Sequence, residues 1–269
     1  MNIKFLDCTL RDGGYYNNWD FDKIIVNDYL QAMAYSGVDF VELGLRRFKS
    51  DKCLGASAFT TKSYLERINL PQGPEYGVMI DAKTVLASDF SQELAVKELF
   101  DYSKNEKISF VRVAAHAHEL NKIDLMLKTL KELGYRIGLN IMQSTKVSSS
   151  ELSNYAKTFE ELKIIDVLYF ADSLGSMNFQ DIERVYKALS LNWHSEIGFH
   201  AHNNMGQACA NINYAIELGC TWIDGTVSGM GRGAGNAESE YVLLNSALKK
   251  EKFDPSKLIE LALKHFNPM

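Results

Sequence analysis

Two histidines two positions apart, His200 and His202, close the apolar run Ile197-Gly-Phe-His-Ala-His, and Asp12 follows another apolar run near the start of the chain. Strand side chains alternate between faces, so an i, i+2 pair on a strand puts both imidazoles on one side. Asp12 would add a hard, anionic oxygen. Two nitrogens, one carboxylate and open positions suit a divalent ion that binds an oxygen-rich substrate. Spacing alone leaves a second reading open, in which Asp12 is a turn residue of Leu10-Arg-Asp-Gly-Gly and the histidines are hydrogen-bonded within the fold.

These residues lie far apart in the chain, so the elements that carry them must bring them together. Eight short β-branched and aromatic runs read as strands: Ile3 to Leu10, Asp39 to Leu45, Tyr76 to Asp81, Phe110 to Ala115, Arg136 to Met142, Val167 to Asp172, Glu196 to His202 and Trp222 to Ser228. Segments of helical spacing lie between them, among them Phe21 to Ser36, Asn121 to Leu133, Ser150 to Leu162, Asp181 to Leu189 and Met205 to Leu218. Gly37, Gly134 and Gly219 stand where helix caps belong. This alternation, unbroken by a linker, predicts an α/β fold, a single-domain (β/α)8 TIM barrel over 1–269, with 256–269 as a C-terminal helical extension. An open doubly wound sheet is the rival. The barrel is preferred because closure makes the first and seventh strands near neighbours and gathers all strand ends over one mouth, which an open sheet does not.

Composition narrows the function classes. Hydrophobic residues at 46% and charged residues at 23% give enough apolar material for a buried core and argue against disorder. A net charge of −5 without a basic patch predicts neither a nucleic-acid nor a membrane partner, so small molecules are expected. Cys8, Cys53, Cys209 and Cys220 show no Cys-x-x-Cys spacing and are expected to be buried thiols. No run has the apolar length of a membrane span and no leader-like segment opens the chain, so a cytoplasmic setting is expected.

Three ordered motifs, Asp7-Cys-Thr-Leu-Arg-Asp-Gly13, Phe199-His-Ala-His-Asn-Asn-Met-Gly206 and Gly229-Met-Gly-Arg-Gly-Ala-Gly-Asn236, resemble those of the metal-dependent barrel aldolases and lyases. That group includes HMG-CoA lyase, isopropylmalate synthase and, most similar here, 4-hydroxy-2-oxovalerate aldolase. Val41-Glu-Leu-Gly44, Val111-Arg-Val-Ala-Ala-His116 and Ala171-Asp-Ser-Leu-Gly175 extend the resemblance over nearly the whole chain. It implies Asp12, His200 and His202 as ligands of Mn2+ or Mg2+, with Asn236 as a weaker amide-oxygen contact. The metal would hold a 2-oxo acid and stabilise the pyruvate enolate left by carbon–carbon cleavage. Arg11 would put a permanent positive charge beside the enolate oxygen, with Glu42 orienting it.

Aldol cleavage also needs a base for the substrate hydroxyl. Where the oxovalerate aldolases carry a histidine three residues after the metal aspartate, this chain has Tyr15. A phenol, with an ordinary pKa of about 10, is a poor base unless nearby positive charge lowers it. Tyr15 is the expected acid/base group, with His116 and Ser173 as substrate-binding residues; His118, His194 and His265 are expected at the surface. The glycine-rich segment before Asn236 has the look of a phosphate loop, but the resemblance makes it a close backbone approach to the metal site, with Arg232 near an anionic substrate group. Asn203 and Asn204 depart from the commoner His-Asn-Asp order.

The expected reaction is cleavage or formation of a 4-hydroxy-2-oxo acid, whose small-molecule partners are a 2-oxo acid and an aldehyde. An acyl-CoA lyase or Claisen-type synthase is the alternative, disfavoured because the glycine loop has no cysteine; a non-catalytic metal- or oxo-acid-binding barrel is a second. A homodimer fits barrel habits. The catabolic oxovalerate aldolases carry a further helical region that docks a dehydrogenase, so no channelling dehydrogenase partner is expected for a chain ending soon after its barrel.

Overall fold

In the computed structural model, residues 2–49, 53–100, 107–244 and 253–266 are described. Eight parallel strands form a closed barrel in sequential order: β1 (Lys4–Asp7), β2 (Phe40–Leu45), β3 (Glu75–Asp81), β4 (Phe110–His116), β5 (Arg136–Met142), β6 (Val167–Asp172), β7 (Glu196–Ala201) and β8 (Trp222–Gly225). Closure is made by β1 against β8, with Leu6 opposite Asp224 and Asp7 opposite Gly225. The expected TIM barrel is thus the observed fold. No helix among the described residues is long and apolar enough to cross a membrane.

Alternation along the strands decides what faces what. One parity, including Val41, Leu43, Val78, Ile80, Val111, Val113, Leu168 and Phe170, faces outward and joins the large core under the helices. The other parity points into the barrel. Its lower half is filled by Leu6, Phe40, Phe110, Val167, Tyr169 and Trp222, with Trp222 stacked on Phe110 at 5.4 Å. Because both faces are covered, the strands read as nearly continuous apolar runs, and the polar residues that interrupt the inward parity stand out.

Helices Lys23–Tyr35, Asp124–Glu132, Ser149–Leu162, Phe179–Ser190 and Ala208–Leu218 occupy the expected segments, and Gly37, Gly134 and Gly219 end three of them with positive φ. The strand expected over Ile3 to Leu10 stops at Asp7, and Thr9–Asp12 is a helical turn. The cause is local: the Asp7 carboxylate accepts from Thr9 N at 2.8 Å and Thr9 Oγ1 at 2.6 Å, an Asx-type turn that breaks the strand. The last strand also ends early, giving way to a 3-10 turn at Val227–Gly229. Short helices at Ser256–Leu261 and Ala262–Phe266 occupy the expected C-terminal extension, whose residues 267–269 lie outside the described residues.

Candidate functional site

Barrel closure brings the two ends of the sequence together. Asp12 Oδ2 stands 3.3 Å from His200 Nε2 and 3.8 Å from His202 Nε2, and one ligand atom from each of the three residues falls within 4.8 Å of the others. All three residues are buried. Asn236 joins them through an isolated bridge to His202, and its Nδ2 donates to Asp12 Oδ2 at 2.7 Å and to Met230 O at 3.0 Å. Asn236 therefore positions the carboxylate through its nitrogen, while its Oδ1 is buried without a partner. The glycine loop makes this approach possible: a Cβ at Gly231 would stand 2.5 Å from Asn236 Nδ2.

Under this cluster lies an ionic ring that the sequence reading named only in part. Arg11 faces Asp12 Oδ1 at 3.0 Å and donates through Nε to Glu42 Oε2 at 2.7 Å, the pairing expected for Glu42. Arg112 donates to both oxygens of Glu42, at 3.0 and 2.9 Å, and to Asp224 Oδ2. The same Asp224 oxygen accepts from His200 Nδ1 at 2.8 Å. Asp224 was not foreseen. Its only signal is a carboxylate on the inward parity of β8, two residues after Trp222.

The protonation pattern follows from burial and charge. Burial pushes the Asp12 carboxyl up, but Arg11 and the two histidines hold it well below the ordinary carboxylate range. Asp224 is likewise desolvated and held down by Arg112 and His200. Burial and the positive charges of His200, Arg11 and Arg232 carry His202 down to about 3, which leaves its imidazole neutral and its lone pair free to ligate. Burial lowers His200 too, but Asp12 and Asp224 together raise it. With Nδ1–H committed to Asp224, the remaining lone pair of a neutral His200 is on Nε2, and Nε2 is a buried atom without an aligned hydrogen bond. That carboxylate–histidine arrangement is how metal-binding imidazoles are commonly oriented. The donors present therefore fit a divalent cation. A second grouping, Cys8 with His200 and Asp224, does not, because burial drives the Cys8 thiol up and keeps it protonated.

Around the mouth, Tyr15 is half exposed; its ring stands edge-on to Trp19 at 4.7 Å, with the Arg232 guanidinium 5.1 Å above it. Trp19 donates through Nε1 to Arg11 O at 2.7 Å and carries the Arg47 guanidinium over its ring at 4.5 Å. Asn18 and Trp19 hold left-handed φ values of 56 and 60°, a strain met where surrounding contacts over-determine the backbone. His116, at the end of β4, is stacked on His118 at 5.7 Å, and its backbone N–H donates to Glu119. Ser173 Oγ accepts from Gln143 N at 3.0 Å, tying the ends of β5 and β6. Neither contacts the cluster among the described residues. Asp172 accepts from Ser176 N and Met177 N and so shapes its own loop.

Other expectations need correction. His265 is only partly exposed: its side chain is 13% exposed and lies 2.8 Å from Asp28. Cys53 and Cys209 are exposed, leaving Cys8 and Cys220 as buried thiols. Asn203 and Asn204 hold loops together, Asn203 Oδ1 accepting from Ala208 N at 3.1 Å and Asn204 Oδ1 from Ala234 N at 2.8 Å.

A closed parallel barrel with a buried carboxylate, two imidazoles and a guanidinium at one mouth defines a barrel enzyme acting on small molecules. Residues 95–263 match the HMGL-like family model, and the chain belongs to that family. It is 32% identical over 244 residues to a 4-hydroxy-2-oxovalerate aldolase of Carboxydothermus hydrogenoformans, spanning 90% of this chain and 69% of that one. The same-named protein of Geobacillus genomosp. 3 is 31% identical over 241 residues, again with 90% and 69% covered. The crystal structure of the N-terminal domain of a candidate aldolase from Bacteroides vulgatus superposes with a TM-score of 0.87 at 30% identity, covering 99% of this chain and 86% of that one. HMG-CoA lyase of Brucella melitensis shares the fold at a TM-score of 0.76 and 16% identity, with 97% and 96% covered. The protein is a carbon–carbon lyase, an aldolase.

Proposed function

We propose that the protein is a divalent-metal-dependent aldolase that cleaves or forms a 4-hydroxy-2-oxo acid through a pyruvate enolate. The observation that carries this reading is the convergence of a carboxylate oxygen of Asp12 and ring nitrogens of His200 and His202 within 4.8 Å, beside a buried guanidinium. Mn2+ or Mg2+ would be held by Asp12, His200 and His202, with Asn236 Oδ1 as a weaker contact, and when bound would supply Lewis-acid polarisation of the 2-oxo acid.

Charge balance supports the assignment. The three carboxylates Asp12, Glu42 and Asp224 face the two guanidiniums Arg11 and Arg112 and the His200 imidazole, whose proton Asp12 and Asp224 favour. A dication that displaces the His200 proton would leave one positive charge, which a 2-oxo acid monoanion neutralises.

Arg11 stabilises the charge that develops on the enolate oxygen. Its guanidinium is immobilised by Glu42 and by Asp12, so little reorganisation is needed as the charge appears. Tyr15 and Arg232 line the open side of the mouth, where the aldehyde portion would lie, and His116 and Ser173 offer polar contacts on the opposite rim. Small molecules, a 2-oxo acid and an aldehyde, are the partners in this reading.

The test is pyruvate release from a panel of 4-hydroxy-2-oxo acids by protein stripped with chelator and then given Mn2+ or Mg2+. Release should depend on the added ion and disappear in His200→Ala. Turnover that survives complete metal removal would sink the reading.

A further inference from the structure

One carboxylate at the mouth is left without a task by everything described above. Asp81 ends β3 on the same inward parity as Met79, which belongs to the mouth cluster of Trp19, Leu45 and Ala114. It also occupies the N-cap position of the helix Ala82–Leu86, where an aspartate ordinarily accepts a backbone N–H. Here it makes no cap bond. Its carboxylate has no hydrogen bond or ion pair among the described residues.

The groups around it come from four directions. Arg47 follows β2, Arg11 precedes the metal aspartate, Arg232 lies in the loop after β8, and Glu119 lies in the helical turn after β4; all four act on Asp81 electrostatically. Burial outweighs the three guanidiniums and raises the carboxyl above its ordinary value, a direction that suits a base working near neutrality. An aspartate that forgoes its cap and stands unpartnered at the mouth end of an inward-facing parity, in the field of Arg47 and Arg11, has the placement of a proton-transfer group. Tyr15, the residue at the family's histidine position, is a half-exposed phenol clamped between Trp19 and Arg232.

We propose that Asp81 is the catalytic base for the substrate's C4 hydroxyl. In cleavage its carboxylate takes the hydroxyl proton, the O–H electrons form the aldehyde carbonyl, and the C3–C4 pair becomes the enolate C2=C3 bond with the charge on the C2 oxygen beside Arg11. The proton on Asp81 then passes to C3, giving pyruvate and restoring the carboxylate. Synthesis runs the same steps backwards. This rests on the aldolase reading above.

The experiment separates the two. The Mn2+-loaded protein and its Asp81→Asn variant are assayed for cleavage of 4-hydroxy-2-oxopentanoate and for decarboxylation of oxaloacetate. Decarboxylation leaves the same pyruvate enolate but has no hydroxyl proton to remove, so it reports the metal site, Arg11 and an intact fold. Asp81→Asn should lose about 10²- to 10⁴-fold in cleavage, as expected for a lost general base, and keep decarboxylation within about threefold. The acid limb of kcat/KM for cleavage should disappear in the variant. If both reactions fall together, Asp81 is structural or binds substrate, and the proposal is overturned; it is equally overturned if both persist. If the parent decarboxylates oxaloacetate but cleaves no 4-hydroxy-2-oxo acid, the aldolase reading itself fails and takes this proposal with it.

Discussion

Asp224→Asn removes the charge from the single oxygen that orients His200 and binds Arg112. Asp224 Oδ2 lies 2.8 Å from His200 Nδ1, and an asparagine oxygen placed there still accepts that hydrogen bond, so the ring orientation survives while the charge does not. A charge-assisted bond is roughly twice as strong as a neutral one, and its loss makes the imidazole a weaker donor at Nε2. Replacing such partners of metal-binding histidines typically costs about 10- to 100-fold in metal affinity. That corresponds to about 1.4–2.7 kcal/mol. The site also loses one of its three carboxylates, which weakens its attraction for a dication and so adds in the same direction. Mn2+ titration calorimetry on chelator-stripped protein measures the affinity. Denaturant unfolding in chelator measures the separate cost to the fold. Breaking one side of a buried pair commonly costs 3–5 kcal/mol, and the low end, about 3 kcal/mol, is expected because Arg112 keeps both contacts to Glu42. A folded Asp224→Asn protein that binds Mn2+ within twofold of the parent would refute the reasoning, since the carboxylate would then contribute nothing through His200.

Arg11→Lys should lower kcat for cleavage by about 10²- to 10³-fold with little change in KM, because one ammonium cannot keep both the Glu42 and the Asp12 contacts and still face the enolate; steady-state kinetics decide it, and a change confined to KM would count against the role. Gly14→Ala should destabilise the protein by about 1–3 kcal/mol and reduce activity together, since the new Cβ would stand 2.1 Å from Trp19 Cδ1 and displace the ring that donates to Arg11 O; a variant with wild-type unfolding would contradict this close approach. Glu240 tests the pH dependence of stability. Burial first, with help from Glu238 and Asp7, raises its carboxyl from 4.5 to about 7, so the fold holds a proton that the unfolded chain releases, and stability falls as pH rises through that window. Glu240→Gln should therefore gain about 3 kcal/mol over the parent at pH 8.5, with the gap narrowing toward pH 5; denaturant unfolding showing an equal gap at both pH values would exclude it.

Much of the architecture can be read along the chain because parallel barrel strands are covered on both faces. Each becomes a short β-branched run, and the intervening helices carry their own caps. The boundaries of β1 and β8 were less legible. The Asp7 carboxylate that turns the chain at Thr9 acts through a side-chain hydrogen bond, which a run of apolar residues does not announce. For the site, Asp12, His200 and His202 are visible as types and motifs, and Glu42 as a partner for Arg11. Asp224 and Asp81 are not. Each is a single aspartate at the end of an ordinary-looking strand, and nothing local separates it from a turn residue.

What the sequence by itself determined is therefore the set of strands, the shared face of His200 and His202, and the identity of the three proposed ligands. The tertiary structure alone decided which inward residues share a layer. Closing β1 onto β8 puts Asp224 opposite Leu6 and beneath the His200 imidazole, and the mouth leaves the partly buried Asp81 without a cap bond at the end of β3. Burial then sets the chemistry: in a desolvated ring each charge must be matched across the barrel, and the protonation of every member depends on neighbours remote in the chain.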